Sequence, residues 1–408
     1  LKIQCFVGDT YIPIDGSRAV LVPSTGQTGD SKEVNLTTNS SGESQTIELN
    51  APPLAYSQQP SQPTPYSLYD LKVEREGFQT LVVNGIQIFP GQVAIQQCQL
   101  VKSDTRSATR ADVINIGPNT LNGNYPAKIP EEVDKPLPPP TSGVVLPKPV
   151  VPEFITVHTG TPSNDSAPNY KVLYKDYIKN VASSEIYATW PADTIRANVL
   201  AIMSFTLNRV FTEWYRNQGY EFTITSSTAF DHKWIPERNI FNTISVIVDE
   251  LFADYLSRPN VKQPILTQYC DGRQVQCPNW MTQWGSKSLG DQGYSPIEIL
   301  RYFYGDNMYI NTAEAISGIP SSWPGYNLEN GSSGSKVRQL QEQINVIATA
   351  YPAIPKLNVD GIYGPATAEA VRKFQSVFGL PSTGVADYKT WYKISEIYVG
   401  VSRIAELT

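Results

Sequence analysis

The chain has 408 residues, of which 40% are hydrophobic and 17% charged, and its net charge at pH 7 is −6. At roughly 100–200 residues per domain, this length corresponds to two to four domains. No run of Lys and Arg is present to neutralise nucleic-acid phosphates, so we expect no nucleic-acid partner. No apolar run approaches the roughly 20 residues that a membrane helix needs, so we expect no membrane span. The low content of charged residues and the 23 tyrosines indicate instead a polar surface with aromatic rings, which is typical of proteins that bind sugars.

Residues 1–102 are predicted to form an all-β sandwich. Apolar residues alternate at Leu1, Ile3 and Cys5, and turn-forming residues separate the alternating runs. The string YDLKVEREGF at 69–78, with TTNSSG upstream at 37–42, resembles the transthyretin-like or carboxypeptidase-regulatory domain family.

Residues 103–152 are predicted to be a linker, because the stretch Pro126–Pro152 holds nine prolines in 27 residues. Such a composition cannot build a core and favours an extended, exposed chain. An exposed chain is accessible to proteases, so we expect a processing site here and an activating protease as a partner.

Four cysteines are present, two near the ends of the first unit and two in the central unit. Their placement favours two local disulfides, Cys5–Cys98 and Cys270–Cys277. Four buried thiols are an equally weighted alternative. With only two histidines and no CxxC motif, we predict no metal site, and no cofactor is expected.

Residues 153–320 are predicted to form an α+β domain. A helix should begin near Pro191 and continue to Trp214, because apolar residues recur there with helical spacing. Further helices are expected over 240–256 and 297–304, and strands over 220–225 and 265–269.

Residues 328–402 are predicted to form a three-helix domain. The string VDGIYGPAT at 359–367 is followed by AVRKFQ at 370–375 and by the pair Thr390-Trp391. This spaced pattern resembles the peptidoglycan-binding type 1 family, which implies peptidoglycan as a partner.

The central unit carries SSEIYATWPAD at 183–193, and MTQWG at 281–285 before a helix that ends in RYFYG. These strings resemble the opening and closing patterns of the SpoIID/LytB family. The resemblance implies that Glu185 is the catalytic acid/base. A carboxyl beside Ile186, Tyr187 and Trp190 would be desolvated, which raises its pKa and retains a proton for donation. A solvated carboxylate near a helix N-terminus is the alternative that local sequence alone would favour.

One carboxyl suffices for a lytic transglycosylase, whereas a muramidase of the usual kind needs two at a set separation. Asp231, Asp249, Asp271 and Asp291 are candidates for a second carboxyl, but none lies in a recognisable motif. We therefore rank the transglycosylase first. Five residues are predicted to contact substrate: Tyr187, Trp190, Asp231, His232 and Gln283.

The sequence departs from the SpoIID/LytB pattern at several positions. Met203 replaces an Arg, residues 231–234 read DHKW, and Cys277 replaces a His, so contacts made by those groups do not carry over. Asp231 and His232 are either functional substitutes or an ordinary hydrogen-bonded pair, and Gln283 is either a sugar contact or a structural amide.

The combined domain pattern resembles the spore cortex-lytic enzymes. It implies an extracytoplasmic protein of the spore cortex and coat region, active in germination, that cleaves MurNAc–GlcNAc bonds of cortex glycan. The N-terminal β unit is then expected to be a pro-segment that restrains a zymogen. A non-catalytic peptidoglycan-binding protein or amidase enhancer is the alternative function, and a spacer or targeting module is the alternative role for the β unit.

Overall fold

A computed structural model describes residues 1–8, 10–24, 33–60, 62–103, 111–131, 148–313, 315–316, 324 and 326–402. In those ranges the protein is multidomain with mixed α and β structure, and its C-terminal region is helical. None of the helices in these ranges is both long and apolar enough to cross a membrane.

The strands and helices follow one another in three groups. The first group is β1 (Lys2–Val7), β2 (Arg18–Pro23), β3 (Val34–Thr37), β4 (Ser67–Glu74), β5 (Leu81–Ile88), β6 (Ala94–Leu100) and β7 (Asp112–Asn115). The second is β8 (Val150–Val151), β9 (Phe154–His158), β10 (Asn169–Leu173), α1 (Tyr174–Glu185), α2 (Ala192–Phe211), β11 (Ile224–Thr225), β12 (Ile240–Phe241), α3 (Asn242–Leu251), β13 (Asp254–Ser257), β14 (Tyr269–Cys270), β15 (Met281–Thr282), α4 (Gln283–Asp291), α5 (Pro296–Tyr304), β16 (Tyr309–Thr312) and β17 (Ala315–Ile316). The third is α6 (Ser335–Ala350), α7 (Pro365–Val377) and α8 (Tyr388–Ser402).

The N-terminal unit contains two sheets. One has the strand order β3-β2-β4-β5-β7, and the other has the order β1-β6-β12. The last strand of the second sheet belongs to the central unit, where Ile240 lies opposite Ile95 in antiparallel register. The N-terminal and central units therefore share a sheet, which the sequence does not reveal. The transthyretin-like assignment stays a prediction.

The expected Cys5–Cys98 disulfide is not formed in the structure. The two residues lie opposite each other in the parallel pair of β1 and β6, but both are free thiols with no exposed surface. They pack among apolar side chains as small hydrophobes, which is the alternative that the sequence left open.

Residues 111–131 differ from the free linker expected over 103–152. Strand β7 pairs in parallel with β5, with Asp112 opposite Leu81, and the chain then lies on the central unit with Ile116 and Leu121 buried. Buried apolar residues and hydrogen bonds, such as that from the Thr120 N–H to the Ser184 carbonyl, hold this part in place. The sequence predicts a processing site within 103–152, and residues 104–110 and 132–147 of that stretch lie outside the described residues.

Helix α2 is the centre of the second unit, and nearly all of its side chains are buried. Pro191 is the N-cap residue of this helix, and Asp193 lies in its first turn, where the helix dipole stabilises a carboxylate. The helix expected over 240–256 is confined to α3 because β12 and β13 take up its two ends. Helix α1 was not predicted, although its buried residues Tyr177, Val181 and Glu185 recur at i, i+4 and i+8.

The C-terminal unit is a bundle of α6, α7 and α8 around buried Phe374 and Trp391. Gly361 has φ of +76°, a left-handed conformation that favours glycine, and the Asp360 side chain accepts the Ile362 N–H at 2.8 Å. This turn explains the Asp-Gly pair in the sequence motif.

Candidate active site

Glu185 is the last residue of α1, and only 3% of its surface is exposed. The chain leaves the helix in an extended conformation at Ile186. The carboxyl therefore lies near a helix C-terminus, where the dipole disfavours negative charge. This location is the opposite of the solvated N-terminal position that local sequence favours.

Both carboxyl oxygens of Glu185 accept hydrogen bonds. The backbone N–H of Lys233 donates to Oε1 at 2.5 Å, and the Tyr269 hydroxyl donates to Oε2. The Gln283 side chain donates to the Glu185 carbonyl at 2.9 Å. Two segments of the central unit thus hold the side chain, and a third holds the backbone of the same residue.

Burial raises the pKa of the Glu185 carboxyl above its ordinary value. The Lys128 ammonium and the hydrogen bonds from Lys233 and Tyr269 oppose that rise, because each of them stabilises the ionised form. A carboxyl with a raised pKa holds its proton to a higher pH than an ordinary carboxyl, which is the direction that a general acid requires.

A small cleft opens beside Glu185, and two parts of the chain line it. The central unit contributes Asp231, Tyr269, Asp271 and Gln283, whereas the other wall consists of Thr120, Tyr125, Pro126 and Lys128. We call residues 118–131 the strap. Within it, Thr120 donates its backbone N–H to the Ser184 carbonyl at 2.9 Å, so the strap lies directly over the end of α1.

Lys128 is the charged residue that the strap places in the cleft. Its ammonium donates to the Asp231 carbonyl at 2.5 Å and lies 4.7 Å from the centre of the Tyr269 ring. Burial lowers the pKa of this ammonium, while the nearby Glu185 carboxylate partly offsets the effect. Lys128 therefore supplies positive charge next to the candidate acid.

The other carboxylates in the cleft are already engaged. Asp231 accepts hydrogen bonds from Arg209 at 2.8 Å, from the Tyr215 hydroxyl at 2.6 Å and from Thr225. Asp271 accepts three backbone N–H groups from residues 273–275, which shapes the loop closed by the Cys270–Cys277 disulfide. Both carboxylates therefore hold local structure through several hydrogen bonds each.

The two remaining candidates for a second carboxyl do not line the cleft. Asp249 forms buried ion pairs with Lys175 and Lys179, and Asp291 pairs with Lys287 at the end of α4. Among the carboxyls that line the cleft, Glu185 accepts one hydrogen bond on each oxygen, fewer in total than Asp231 or Asp271 accepts.

All five predicted substrate contacts are buried in the intact chain: Tyr187, Trp190, Asp231, His232 and Gln283. Tyr187 packs on Phe89, and the Trp190 indole N–H donates to the Ser57 carbonyl at 2.9 Å. Both partners belong to the N-terminal unit. Contact of these two rings with substrate would require that unit to move away.

His232 lies behind the cleft rather than in it. Its Nδ1 is 3.0 Å from the Tyr177 hydroxyl, and its ring stacks on Tyr269. Burial and the charges of Lys128 and Arg209 lower its pKa well below the ordinary value, so the imidazole is neutral. Asp231 and His232 make no mutual side-chain hydrogen bond among the described residues, unlike the pair considered from sequence, since Asp231 faces Arg209.

Within the described ranges, no group of three or more His, Cys, Asp or Glu side chains is arranged to hold a metal ion. The site residues that sequence reasoning missed are Lys128, Arg209 and Tyr269. Helix α2 is mostly apolar and carries two arginines, Arg196 and Arg209. A charge on such a largely buried helix must be paired, which is a usable signal for Arg209. No sequence signal marks Lys128 or Tyr269.

One family and several known proteins are similar to part of this chain. Residues 333–394 match the family described as "Putative peptidoglycan binding domain". The zinc D-Ala-D-Ala carboxypeptidase of Streptomyces albus G is 43% identical over 77 residues, 19% of this chain and 28% of that protein. An uncharacterized protein in the bpoA1 3' region of Kitasatospora aureofaciens is 40% identical over 68 residues, 16% of this chain and 53% of that protein. The chain thus spans about half or less of the length of these two curated relatives.

Among solved structures, the N-terminal domain of SleB is 31% identical, with a TM-score of 0.17, over 19% of this chain and 99% of that one. The family match confirms the predicted C-terminal peptidoglycan-binding domain and indicates a cell-wall-associated protein. The central and N-terminal units lie outside residues 333–394, the range that this family matches.

Proposed function

We propose that this chain is a peptidoglycan-degrading enzyme that cleaves glycan strands with Glu185 as acid/base. The observation that carries the proposal is a buried carboxyl with a raised pKa in a cleft, on the chain that also bears a peptidoglycan-binding domain. Its domain order resembles that of the cortex-lytic enzyme SleC, so the proposed substrate is spore cortex glycan and the proposed setting is germination.

The proposed reaction is that of a lytic transglycosylase. Glu185 donates its proton to the MurNAc–GlcNAc glycosidic oxygen, and the C1–O bond breaks. The resulting carboxylate then takes the proton of the muramic C6 hydroxyl, whose oxygen bonds to C1 and gives a 1,6-anhydro end. The engagement of Asp231 and Asp271 by other groups supports this one-carboxyl route over a muramidase.

Analysis of the products tests this mechanism. Purified cortex glycan is incubated with the chain after proteolytic cutting within 132–147, and the fragments are identified by mass spectrometry. Anhydro-muramic ends are the expected result, whereas new reducing ends would indicate a muramidase.

We also propose that the chain is a zymogen. The strap forms one wall of the cleft, and the N-terminal unit covers Tyr187 and Trp190, which supports restricted access of a polymer to Glu185 in the intact chain. The sequence suggested the β unit itself as the blocking element, whereas the structure favours the strap that follows it. Cutting after residue 131 would remove the covalent tether that keeps both in place.

The zymogen proposal is tested by comparing intact and cut chains at equal concentration on the same glycan. The cut chain should be faster by at least tenfold. Equal rates would rule out a restraining role for the strap and favour a spacer or targeting role for the β unit.

A non-catalytic role is the second candidate, since both oxygens of Glu185 already accept hydrogen bonds and serve to join α1 to neighbouring segments. In that case the protein binds the wall or enhances an amidase. Absence of any glycan product from the cut chain would favour this role.

A further inference from the structure

The last four residues of the strap lie in a groove of the central unit as an extended peptide would. The Ile129 N–H donates to the Ala229 carbonyl at 2.6 Å. Gln268 donates to the Ile129 carbonyl at 3.1 Å and accepts the Glu131 N–H at 3.0 Å. One buried amide side chain thus engages an acceptor and a donor two residues apart, as in recognition of an amide-bearing chain.

The groove also engages a carboxylate. Arg209 donates two parallel hydrogen bonds to Glu131, and the bond from Nη1 to Oε2 measures 3.0 Å. The guanidinium is 1% exposed and is oriented by the bond from its Nε to Asp231. A fork of this kind is the geometry by which Arg recognises carboxylates.

The groove continues into the candidate active site. Lys128, three residues before Glu131, lines the same cleft as Glu185, and Asp231 is shared between that cleft and Arg209. Three extended residues span about 10 Å. The carboxylate position therefore lies within one or two sugar units of the proposed cleavage point.

We propose that the groove occupied by Lys128–Glu131 is a substrate subsite, in which Arg209 binds a carboxylate of peptidoglycan and Gln268 binds the adjoining amide once the strap has left. This inference rests on the proposed function. The strap occupies the subsite by presenting the same two groups, a carboxylate and backbone amides. Two peptidoglycan sources share that chemistry: the carboxylates of the stem peptide, and the lactyl carboxylate of muramic acid that lacks a stem.

The cut chain is assayed on three substrates: glycan with stem peptides, glycan stripped of stems by an amidase, and glycan whose carboxylates have been converted to amides. Amidation should lower kcat/KM by at least tenfold. Faster cleavage of the first substrate than of the second would identify the stem peptide as the source, and the reverse would identify the lactyl carboxylate.

Arg209→Lys keeps a charge for Asp231 but loses the fork, so it should cleave native and amidated glycan equally. Gln268→Leu is a second variant that leaves Arg209 intact, and it should raise KM on all three substrates with little change in kcat. Arg216→Lys is the matched control, because its guanidinium is half-exposed and pairs only with Glu213 among the described residues. Equal rates of the wild type on native and amidated glycan would overturn the inference.

A competition experiment tests the proposed subsite by binding alone, independently of enzyme activity. In gel filtration of the cut chain, soluble disaccharide-peptides should lower the fraction of the N-terminal fragment that elutes together with the rest of the protein, because they compete with the strap for the groove. Their amidated forms should leave that fraction unchanged. If the cut chain cleaves no glycan, the proposed function fails while this measurement still tests the subsite. Equal release by native and amidated ligands would contradict it.

Discussion

Several effects of opposite sign act on the pKa of Glu185, and the neighbouring residues in the sequence indicate only some of them. Burial raises its pKa, while Lys128 of the strap and two hydrogen bonds lower it. The apolar and aromatic residues of the motif predict a desolvated carboxyl, and Glu185 is 3% exposed. The counter-charge comes from a residue 57 positions earlier, in a segment expected to be free linker, so no local pattern predicts it.

Replacing Lys128 by Met should raise the pKa of Glu185 further, because the ammonium that stabilises the carboxylate is lost while the cavity stays filled. A ¹³C NMR titration of the side-chain carboxyl, assigned with Glu185→Gln, measures the change. Lys72→Met is the control, since its ammonium is exposed on β4 and pairs with Glu74. An unchanged or lowered pKa of Glu185 in Lys128→Met would contradict the electrostatic account.

At the scale of elements, α8 is docked on α1 and α3 through a buried group of charges. Glu396 pairs with Lys175 and with Lys393 at 2.9 Å, and it also accepts the Tyr11 hydroxyl at 3.2 Å. Asp249 pairs with Lys175 at 3.1 Å and with Lys179 at 3.0 Å. All three units meet at this cluster. The sequence predicted a three-helix C-terminal unit, but such a prediction does not indicate which helix face docks on another unit.

Glu396→Gln should destabilise the fold by about 3–5 kcal/mol, because it leaves buried lysines without their counter-charge. Glu369→Gln, on the exposed face of α7, should cost less than about 1 kcal/mol. Urea unfolding of both variants measures the difference. Equal midpoints would show that the cluster contributes no more than a surface pair.

The same cluster of charges predicts that the stability of the fold falls at acid pH. Burial alone would raise the pKa of Glu396, but Lys175 and Lys393 lower it to about 2. The folded-state pKa is thus below the unfolded value of about 4.3, so this stabilisation is complete above that pH and is lost as the pH falls towards 2. The midpoint of Glu396→Gln should change less over this range than that of the wild type. Parallel acid dependence in the two proteins would contradict the assignment.

At the scale of the whole molecule, the sequence predicted three units and the helical C-terminal one in detail. It did not predict the sheet shared by β6 and β12, or the strap on the central unit. Both depend on contacts between residues far apart in sequence. The short strand β12 carries no alternation of its own, since two residues cannot show a period.

Residues 326–402 expressed alone should pellet with peptidoglycan sacculi, because the bundle has its own core around Phe374 and Trp391. A matched fragment with Trp391→Ala should lose binding together with its fold, since removing such a buried ring costs about 3–5 kcal/mol. Circular dichroism checks the fold of each. A folded wild-type fragment that stays in the supernatant would refute the binding role.

The central claim is that Glu185 transfers the proton in glycan cleavage. The cut chain and its Glu185→Gln variant are compared on cortex glycan, with anhydro-muramic ends quantified by mass spectrometry and the unfolding midpoint measured alongside. The substitution keeps the shape of the side chain but removes its titratable proton. The account predicts anhydro ends from the wild type and at least a hundredfold fewer from a stably folded variant. Comparable anhydro ends from both proteins would contradict it.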